Sequence, residues 1–263
     1  MSIQSDKIRG KVCVVTGAAK SIGFGLAKCY AESGAKVALI DIDPQVMESA
    51  KSLADAGYEA SGYVCNITDR ELVLKLFEQI AAELGPVYCL VNNAGVVDQR
   101  PFLENTEADF EKMFAVNVYG TAWCIQGALP SMIAAGAGGK IINFSSKSGK
   151  TGSALMIPYS SAKGAIIALT QALAFEFAPH NININCVCPG ITDATGVWSS
   201  VSKGYTENLK LPREEVIKKF TAKIPLQRLT DIQDVVEYVY FLTVSGDYCT
   251  GQALNISGGR EMH

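Results

Sequence analysis

Hydrophobic positions along the chain follow two alternating patterns, short apolar runs and longer segments with helical spacing. The apolar runs are rich in β-branched residues and predict strands over 11–16, 36–41, 59–65, 87–92, 140–144, 181–187 and 253–256. The segments between them predict helices over about 24–34, 44–56, 69–84, 107–135, 159–178, 213–223 and 231–243. Strands that alternate with helices in this way indicate parallel β-α-β units with right-handed crossovers. The pattern therefore predicts an α/β fold, a doubly wound parallel sheet of about seven strands with helices on both faces.

Composition narrows the class of protein. At 263 residues, with 48% apolar and 19% charged residues, the chain suits a single domain spanning 1–263 better than two domains. The net charge of −3 gives no electrostatic reason to expect nucleic acid as a partner. No apolar run approaches the ~18–20 residues of a membrane span, and the first residues lack the apolar core of a signal peptide. We therefore expect a cytoplasmic protein with neither a nucleic-acid nor a membrane partner.

The cysteines do not form a metal-binding or disulfide pattern. The chain has eight cysteines, none of them spaced as Cys-x2-Cys, and most fall inside apolar strand or helix segments. The histidines are His180 and the terminal His263. We expect buried, reduced thiols and no metal site.

The first strand runs directly into a glycine-containing turn and then into a helix. In this setting, backbone N–H groups and the start of a helix can bind a diphosphate. Gly17 would permit the tight turn, and Gly23 would allow close approach between the backbone and the helix. We therefore expect a dinucleotide here, with contacts from Gly17, Lys20, Ser21, Ile22 and Gly23.

Asp41 stands at the end of the second strand and bears on the choice of dinucleotide. A carboxylate at this position can accept hydrogen bonds from both adenosine ribose hydroxyls and would repel a 2′-phosphate. The next residue is Ile42 rather than an arginine that could bind the phosphate, whereas Lys20 in the glycine turn could reach one. We give the carboxylate more weight and predict NAD rather than NADP. The alternative role for Asp41 is to cap the N-terminus of the following helix. Asp43, which precedes Pro44, is better placed for that role.

A turn after the fourth strand belongs to the same crevice. Ligands of such sheets bind beyond the carboxyl ends of the strands, so Asn93, Ala94 and Gly95 should lie beside the first glycine turn. Further along, Asn117 interrupts an apolar helical stretch. A buried amide needs partners, so Asn117 is either a structural hydrogen-bonding residue or one that holds a water molecule.

Tyr159 and Lys163 stand four residues apart in a predicted helix, which places the phenol and the ammonium on one face. A tyrosine phenol titrates near ~10, and a nearby cation stabilises its phenolate form. Ser146, just beyond the fifth strand, could hydrogen-bond the oxygen whose proton moves. Together the three residues predict proton-transfer chemistry. The Tyr-x3-Lys spacing is weak by itself, and the alternative for Tyr159 alone is an exposed helix start.

The segment from residue 193 to about 213 has no regular hydrophobic period. Gly, Ser, Thr and Lys are mixed there with Trp198 and Tyr205. A polar loop at the mouth of a crevice is typical of a substrate lid. We predict that residues 193–223, which include the helix that follows, form a substrate-binding lid within the domain.

In their order and spacing, these motifs resemble the short-chain dehydrogenase/reductase family, and the resemblance covers essentially the whole chain. The shared positions are Gly17, Gly23, Asp41, Asn92, Asn93, Ala94, Gly95, Asn117, Ser146, Tyr159, Lys163, Pro189 and Gly190. Ser146, rather than Ser145, matches the family serine because it stands 13 residues before Tyr159 and opens a Ser-x-x-Gly turn.

Three positions depart from the family pattern. Ser21 stands where a glycine is usual, which would change the shape of the first turn. Asn66 replaces the family aspartate that accepts a hydrogen bond from the adenine amino group. The amide oxygen of an asparagine can accept the same hydrogen bond. Ala194 replaces a threonine at the carboxamide contact, with Thr192 and Thr195 beside it.

The resemblance implies a Rossmann-type fold and a hydride transfer between C4 of the NAD(H) nicotinamide and a secondary alcohol or ketone. By this resemblance, Tyr159 is the general base in oxidation and the acid in reduction, and Ser146 orients the substrate oxygen. Lys163 lowers the pKa of the tyrosine and holds the nicotinamide ribose, and Asn117 supports a water-linked proton path. Further cofactor contacts are expected from Asp41, Ile42, Asn66, Ile67, Asn93, Ala94, Gly95, Pro189, Gly190 and Thr192. The C-terminal stretch GQALNISGG resembles the strand that family members use in assembly, which implies a homotetramer, a dimer of dimers.

The substrate is less well defined by the sequence. Lys147, Lys150 and the polar lid favour a small polar alcohol, such as a polyol, a sugar or a sugar derivative, over a steroid. One alternative is an NADPH-dependent 3-oxoacyl thioester reductase, which Asp41 disfavours. Another is a cofactor-binding regulatory protein without turnover, which the complete set of catalytic residues disfavours.

Overall fold

The sheet contains every strand that the hydrophobic pattern predicts. The computed structural model describes residues 6–193, 195, 206, 210 and 212–263. Its strands are β1 (Val12–Thr16), β2 (Lys36–Asp41), β3 (Ala60–Val64), β4 (Val87–Asn92), β5 (Gly139–Phe144), β6 (Ile182–Pro189) and β7 (Ala253–Ile256). Their ends differ from the predicted ends by at most two residues, because the apolar runs are bounded by polar or glycine residues.

Helices connect the strands. In the described part of the chain they are α1 (Ser21–Glu32), α2 (Gln45–Asp55), α3 (Arg70–Leu84), α4 (Glu107–Phe114), α5 (Thr121–Ala135), α6 (Lys147–Thr151), α7 (Ile157–Phe177), α8 (Arg213–Thr221) and α9 (Ile232–Val244). The predicted helical region over 107–135 is present with these bounds, and within it a π-helical segment, Ala115–Gly120, joins α4 to α5. Apolar residues continue through this segment, so the hydrophobic period does not reveal it. The short helix α6 lies in a stretch for which the hydrophobic pattern predicts no helix.

All neighbouring strands pair in parallel, in the order β3-β2-β1-β4-β5-β6-β7. The chain first moves outwards from β1 to β3 and then returns to the other side of β1 with β4. This reversal is the switch point of a doubly wound sheet, and ligands bind beyond the carboxyl ends of the strands there. Gly17 follows β1 and Asn93 follows β4, so the predicted cofactor residues lie at the switch point. The predicted Rossmann-type fold class is confirmed.

Two apolar clusters, one on each face of the sheet, hold the helices in place. Along β1, Cys13 and Val15 belong to the cluster under α1, α2 and α9, whereas Val12 and Val14 belong to the cluster under α3 and α5. This alternation follows from the two-residue period of strand side chains. None of the four side chains is more than 2% exposed, as expected for a parallel sheet that is covered on both faces. The packed sheet fixes the positions of the residues at its carboxyl edge.

All eight cysteines are free thiols, six of them buried and two half-buried, so the expectation of reduced thiols is confirmed. Among the helices that the structure describes, none is both long and apolar enough to cross a bilayer. β7 is an edge strand, and assembly into a homotetramer through it stays a prediction. About half of the predicted lid, including Ala194, Trp198 and Tyr205, lies outside the described residues, whereas α8 lies inside them.

Candidate active site

The glycine turn after β1 packs directly against the turn after β4. Gly17 has a φ of 65°, and a Cβ there would lie 2.8 Å from the Cα of Ala94. A Cβ on Gly23 would lie 2.1 Å from the carbonyl oxygen of Gly17. The Asn93 amide donates to the carbonyls of Thr16 and Gly17, both at 3.1 Å. The two turns therefore form one tightly packed cradle, in which only glycine fits at positions 17 and 23.

Ser21, which stands in the place of the usual family glycine, has a backbone conformation that favours glycine. Its φ is 53°, in the left-handed region. Lys20 before it is extended, and α1 begins at Ser21. The ammonium of Lys20 lies 3.3 Å from the carboxylate of Asp43 in an exposed ion pair. The lysine that could reach a 2′-phosphate thus already has an anionic partner.

The carboxylate of Asp41 is held in a fixed orientation by two backbone amides. Its Oδ2 accepts a hydrogen bond from the N–H of Ala19 at 2.9 Å, and its Oδ1 accepts one from the N–H of Asp43 at 3.0 Å. The neighbouring Ile42 is 64% exposed. The end of β2 therefore presents an oriented carboxylate beside an accessible apolar side chain.

A groove of about 410 Å³ connects this carboxylate with the glycine cradle. It is lined by the predicted cofactor residues Gly17, Lys20, Ser21, Ile22, Gly23, Asp41, Ile42, Asn66, Ile67, Asn93, Ala94 and Gly95. The amide oxygen of Asn66 already accepts hydrogen bonds from the N–H and the hydroxyl of Thr68, at 3.1 and 2.9 Å. The groove fits a dinucleotide, because a glycine cradle at a helix start binds a diphosphate and a carboxylate binds ribose hydroxyls.

Asn117 lies in the π-helical segment and ties it to the turn after β4. Its side chain is fully buried, and its amide nitrogen donates to the carbonyls of Val96 and Met113, both at 3.0 Å. Its amide oxygen accepts a hydrogen bond from the N–H of Val96 at 3.2 Å. Such π-helical turns are frequent at functional sites. The structure assigns Asn117 the hydrogen-bonding role, and its place in a water-linked proton path stays a prediction.

Ser146 and Tyr159 come together near the start of α7. Ser146 is the N-cap of α6, with its Oγ accepting a hydrogen bond from the N–H of Ser148 at 3.1 Å. Its side chain also lies close enough to the phenol of Tyr159 to lower the pKa of that phenol. Ser145 instead donates to the carbonyl of Lys163 at 2.7 Å. Of the two serines, Ser146 is therefore the one placed for chemistry at the phenol.

The charge states of Tyr159 and Lys163 are set mainly by burial. Burial raises the pKa of Tyr159 above its usual value, and the nearby side chain of Ser146 opposes that increase. The ammonium of Lys163 lies 5.7 Å from the centre of the Tyr159 ring and donates to the carbonyl of Phe144 at 2.7 Å. Burial lowers the pKa of Lys163 to about 8. The prediction that Lys163 lowers the pKa of Tyr159 is wrong in this structure, because desolvation of the phenol outweighs a cation that is bound elsewhere.

The lowered pKa of Lys163 makes the stability of the protein depend on pH. Below pH 8 the lysine is protonated in both the folded and the unfolded protein, so the cost of burying its charge is present in full. Between pH 8 and its usual pKa of 10.5 that cost decreases, because the folded state loses the proton first. We expect the free energy of unfolding of the wild type, relative to Lys163→Met, to rise by about 2 kcal/mol between pH 7 and pH 9.5.

Urea unfolding of both proteins across this pH range measures the effect. Lys51→Met is the control, because Lys51 is an exposed helix residue that pairs with Asp55. Its stability relative to the wild type should stay constant over the same range. A constant difference between the wild type and Lys163→Met would show that the ammonium is well solvated.

Tyr159 opens into a second cavity, of about 170 Å³, next to the groove. Both spaces are lined by Ile22, Asn93, Gly95, Val96 and Thr195, so the cavity and the groove adjoin each other. The cavity is also lined by the predicted site residues Asn117, Ser146, Tyr159, Lys163, Pro189, Gly190 and Thr192. The structure thus brings the four predicted catalytic residues to one cavity and every predicted cofactor residue to that cavity or to the groove.

The sequence analysis does not identify two residues that line the cavity, Phe220 and Arg260, and it wrongly places Lys150 near the substrate. Phe220 of α8 and Arg260 of the C-terminal tail line the cavity, and no local motif points to them because they come from distant parts of the chain. Lys147 lines the cavity as expected. Lys150 does not, because its ammonium donates to the carbonyl of Ala253 on β7 at 2.6 Å.

Comparison with known proteins places the fold and the site in a family. The family model for short chain dehydrogenase matches residues 11–206. A sorbitol dehydrogenase of Cereibacter sphaeroides is 34% identical over 258 residues, covering 97% of this chain and 99% of that protein. A 3-oxoacyl-acyl-carrier-protein reductase of Aquifex aeolicus is 34% identical over 261 residues, covering 96% and 98%. The crystal structure of NAD⁺-bound xylitol dehydrogenase has a TM-score of 0.91 and 31% identity, covering 96% of this chain and all of that chain.

These matches extend over the cradle, the groove and the cavity alike. The family model includes both glycine turns and the helix that carries Tyr159. The relatives cover nearly the whole chain at more than 30% identity. The chain therefore belongs to the short-chain dehydrogenase family, and it is an oxidoreductase that acts on CH–OH groups with a nicotinamide cofactor.

Proposed function

We propose that the protein transfers a hydride between NAD(H) and a small polar secondary alcohol or its ketone, of the polyol, sugar or sugar-derivative class. One observation supports this most directly: Tyr159 lines a cavity that adjoins the groove ending at Asp41. An alcohol in the cavity and a dinucleotide in the groove would meet beside the phenol. When bound, the nicotinamide supplies the hydride acceptor or donor at C4.

The protein's own residues handle the proton. In reduction, Tyr159 gives its proton to the carbonyl oxygen, and the raised pKa keeps the phenol neutral and ready to donate at pH 7. In oxidation the phenol must first lose that proton, so oxidation is favoured at higher pH. Ser146 and Tyr159 line the same cavity, which places the serine hydroxyl where it can hold the substrate oxygen. Lys163 lines the cavity beside Gly95, which also lines the groove, and there an ammonium can hold the ribose of the nicotinamide half.

Polar groups in the cavity support a polyhydroxylated substrate. Ser146, Ser148 and Ser153 line the cavity, and the hydroxyls of Ser148 and Ser153 hydrogen-bond each other at 2.8 Å. A buried alcohol needs such partners, because an unsatisfied hydroxyl costs about 1–3 kcal/mol. The similarity to a sorbitol dehydrogenase and a xylitol dehydrogenase supports the same class of substrate.

An assay of alcohol oxidation tests the proposed function. D-sorbitol, galactitol and xylitol are offered with NAD⁺ or NADP⁺, and formation of the reduced cofactor is followed by its absorbance. We expect turnover of at least one polyol with NAD⁺. If neither these polyols nor common sugars are oxidised with either cofactor, the protein is not a polyol dehydrogenase.

Asp41 provides a direct test of the preference for NAD⁺. Replacing it with serine removes both the acceptor for the ribose hydroxyls and the charge that repels a 2′-phosphate. We expect the ratio of kcat/KM for NAD⁺ to that for NADP⁺ to fall by about 10-fold or more. Asp55→Asn is the control, because that carboxylate is exposed at the far end of α2 and should leave the ratio unchanged. An unchanged ratio in Asp41→Ser would show that another feature selects the cofactor.

Two other functions fit parts of the site. The similarity to the Aquifex enzyme favours a 3-oxoacyl thioester reductase, which would use NADPH and reduce an acetoacetyl thioester. The oriented carboxylate of Asp41 and the pairing of Lys20 with Asp43 disfavour NADPH. A regulatory protein would bind NAD and oxidise no alcohol, and the complete set of residues around the phenol disfavours it.

A further inference from the structure

Two cations are largely buried beside the cavity that Tyr159 opens into. The side chains of Lys147 and Arg260 are 15% and 16% exposed, and both line the cavity. Burying a charge is costly unless hydrogen bonds or an opposite charge compensate it. Proton and hydride transfer use neither residue, so their position in the cavity needs a different reason.

A tightly packed turn brings Arg260 to the cavity from the end of the chain. After β7, Gly258 and Gly259 have φ values of 63° and 89°, and a Cβ on either would lie 2.7 or 2.9 Å from a neighbouring side chain. The N–H of Arg260 donates to the carbonyl of Ser257 at 3.2 Å, and the N–H of Glu261 donates to the Ser257 hydroxyl at 3.2 Å. The fold therefore holds the arginine in place at the cavity wall.

The positive charge at this wall is only partly compensated. Glu261 lies 3.3 Å from the guanidinium of Arg260 and 3.8 Å from the ammonium of Lys147. It lines a neighbouring surface groove and not the cavity itself. Burial, followed by the charges of Arg260 and Lys223, lowers the pKa of Lys147 although Glu261 opposes the change. Within the described residues, the two cations that line the cavity thus share one nearby carboxylate.

We propose that Lys147 and Arg260 bind an anionic group at the end of the substrate that lies away from the reacting CH–OH group. The anion is a phosphate ester or a carboxylate, since both present the oxygens that these cations bind. Charge-assisted hydrogen bonds of this kind are stronger than neutral ones, and a guanidinium suits both anions by bidentate geometry. This inference rests on the proposed function and narrows its substrate from polyols in general to polyols with a negatively charged end.

Kinetics with matched charged and neutral substrates test the proposal. D-sorbitol 6-phosphate, D-gluconate and D-sorbitol are each oxidised with NAD⁺, and kcat/KM is compared. We expect at least one of the two anions to exceed D-sorbitol by about 10-fold or more. The better of the two identifies the anionic group. In Arg260→Gln and in Lys147→Met, the ratio of the preferred anion to D-sorbitol should fall by about 10-fold or more.

Arg9→Gln is the matched control for the loss of one positive charge. Arg9 is 69% exposed and pairs with Asp6 beside the amino end of β1, so the ratio should keep its wild-type value. A wild type that oxidises D-sorbitol at least as well as both anions, or variants with a wild-type ratio, would overturn the proposal. If none of the three compounds is oxidised, and the polyols and common sugars of the first assay are not oxidised either, the proposed function is refuted. The anion site, which depends on it, is then refuted as well. Turnover of neutral polyols alone refutes only the anion site.

Discussion

Tyr159→Phe is expected to lower kcat for polyol oxidation by about 10²–10⁴-fold, the usual contribution of a general acid or base. The substitution removes a single oxygen and keeps the ring, so the cavity wall formed by Tyr159 stays in place. The route for the proton is lost with that oxygen. Affinity for NAD⁺ should change little, because the groove from Asp41 to the glycine cradle is untouched.

Steady-state kinetics and a titration with NAD⁺ separate these two effects. Tyr248→Phe is the control, since Tyr248 is fully exposed at the surface and should retain wild-type kcat. A wild-type rate in Tyr159→Phe would remove the phenol from the mechanism. A loss of rate that is matched by a loss of NAD⁺ binding would point to collapse of the site rather than to loss of the proton route.

Gly23→Ala should be among the most damaging single-methyl changes in the groove. Its Cβ would lie 2.1 Å from the carbonyl oxygen of Gly17 and 2.7 Å from the amide of Asn93. These are backbone and hydrogen-bonded atoms that cannot rotate away, so the cradle must open. We expect a loss of about 3 kcal/mol in the free energy of unfolding, together with weaker NAD⁺ binding. Urea unfolding and an NAD⁺ titration measure the two effects.

Gly164→Ala provides a matched control in the helix α7. A Cβ at Gly164 has its nearest neighbour, the carbonyl oxygen of Gly149, at 3.5 Å, an ordinary contact. Because alanine favours a helix over glycine by about 1 kcal/mol, this variant should be at least as stable as the wild type. Equal stability of Gly23→Ala and Gly164→Ala would show that the glycine cradle is far more open than its close contacts indicate.

The fold and most of the candidate site could be predicted because the signals are local. The β-branched run of β1 and the glycine turn beyond it are contiguous in sequence, and the same holds for β4 with Asn93 and Gly95. Parallel topology then brings these turns together at one edge of the sheet. The pair Tyr159 and Lys163 is likewise set by helical spacing. Each of these residues lies in the groove or the cavity.

Properties that depend on burial or on distant segments were not predictable in this way. The π-helical segment around Asn117 is invisible to hydrophobic periodicity, because apolar residues continue through it. The direction of the shift in the pKa of Tyr159 was mispredicted, since helical spacing shows which residues are neighbours but not how much water they lose. Lys150 was expected near the substrate and instead binds β7.

By itself, the sequence determined the α/β fold, the switch point of the sheet, and which of its motif residues meet at the groove and the cavity, because each depends on short spacings and strand order. Tertiary structure alone decided the charge states at the site and the composition of the cavity wall. Desolvation of Tyr159 and Lys163 arises from packing around α7. Arg260 reaches the cavity because the tail folds back after β7, a contact between segments that no local pattern records.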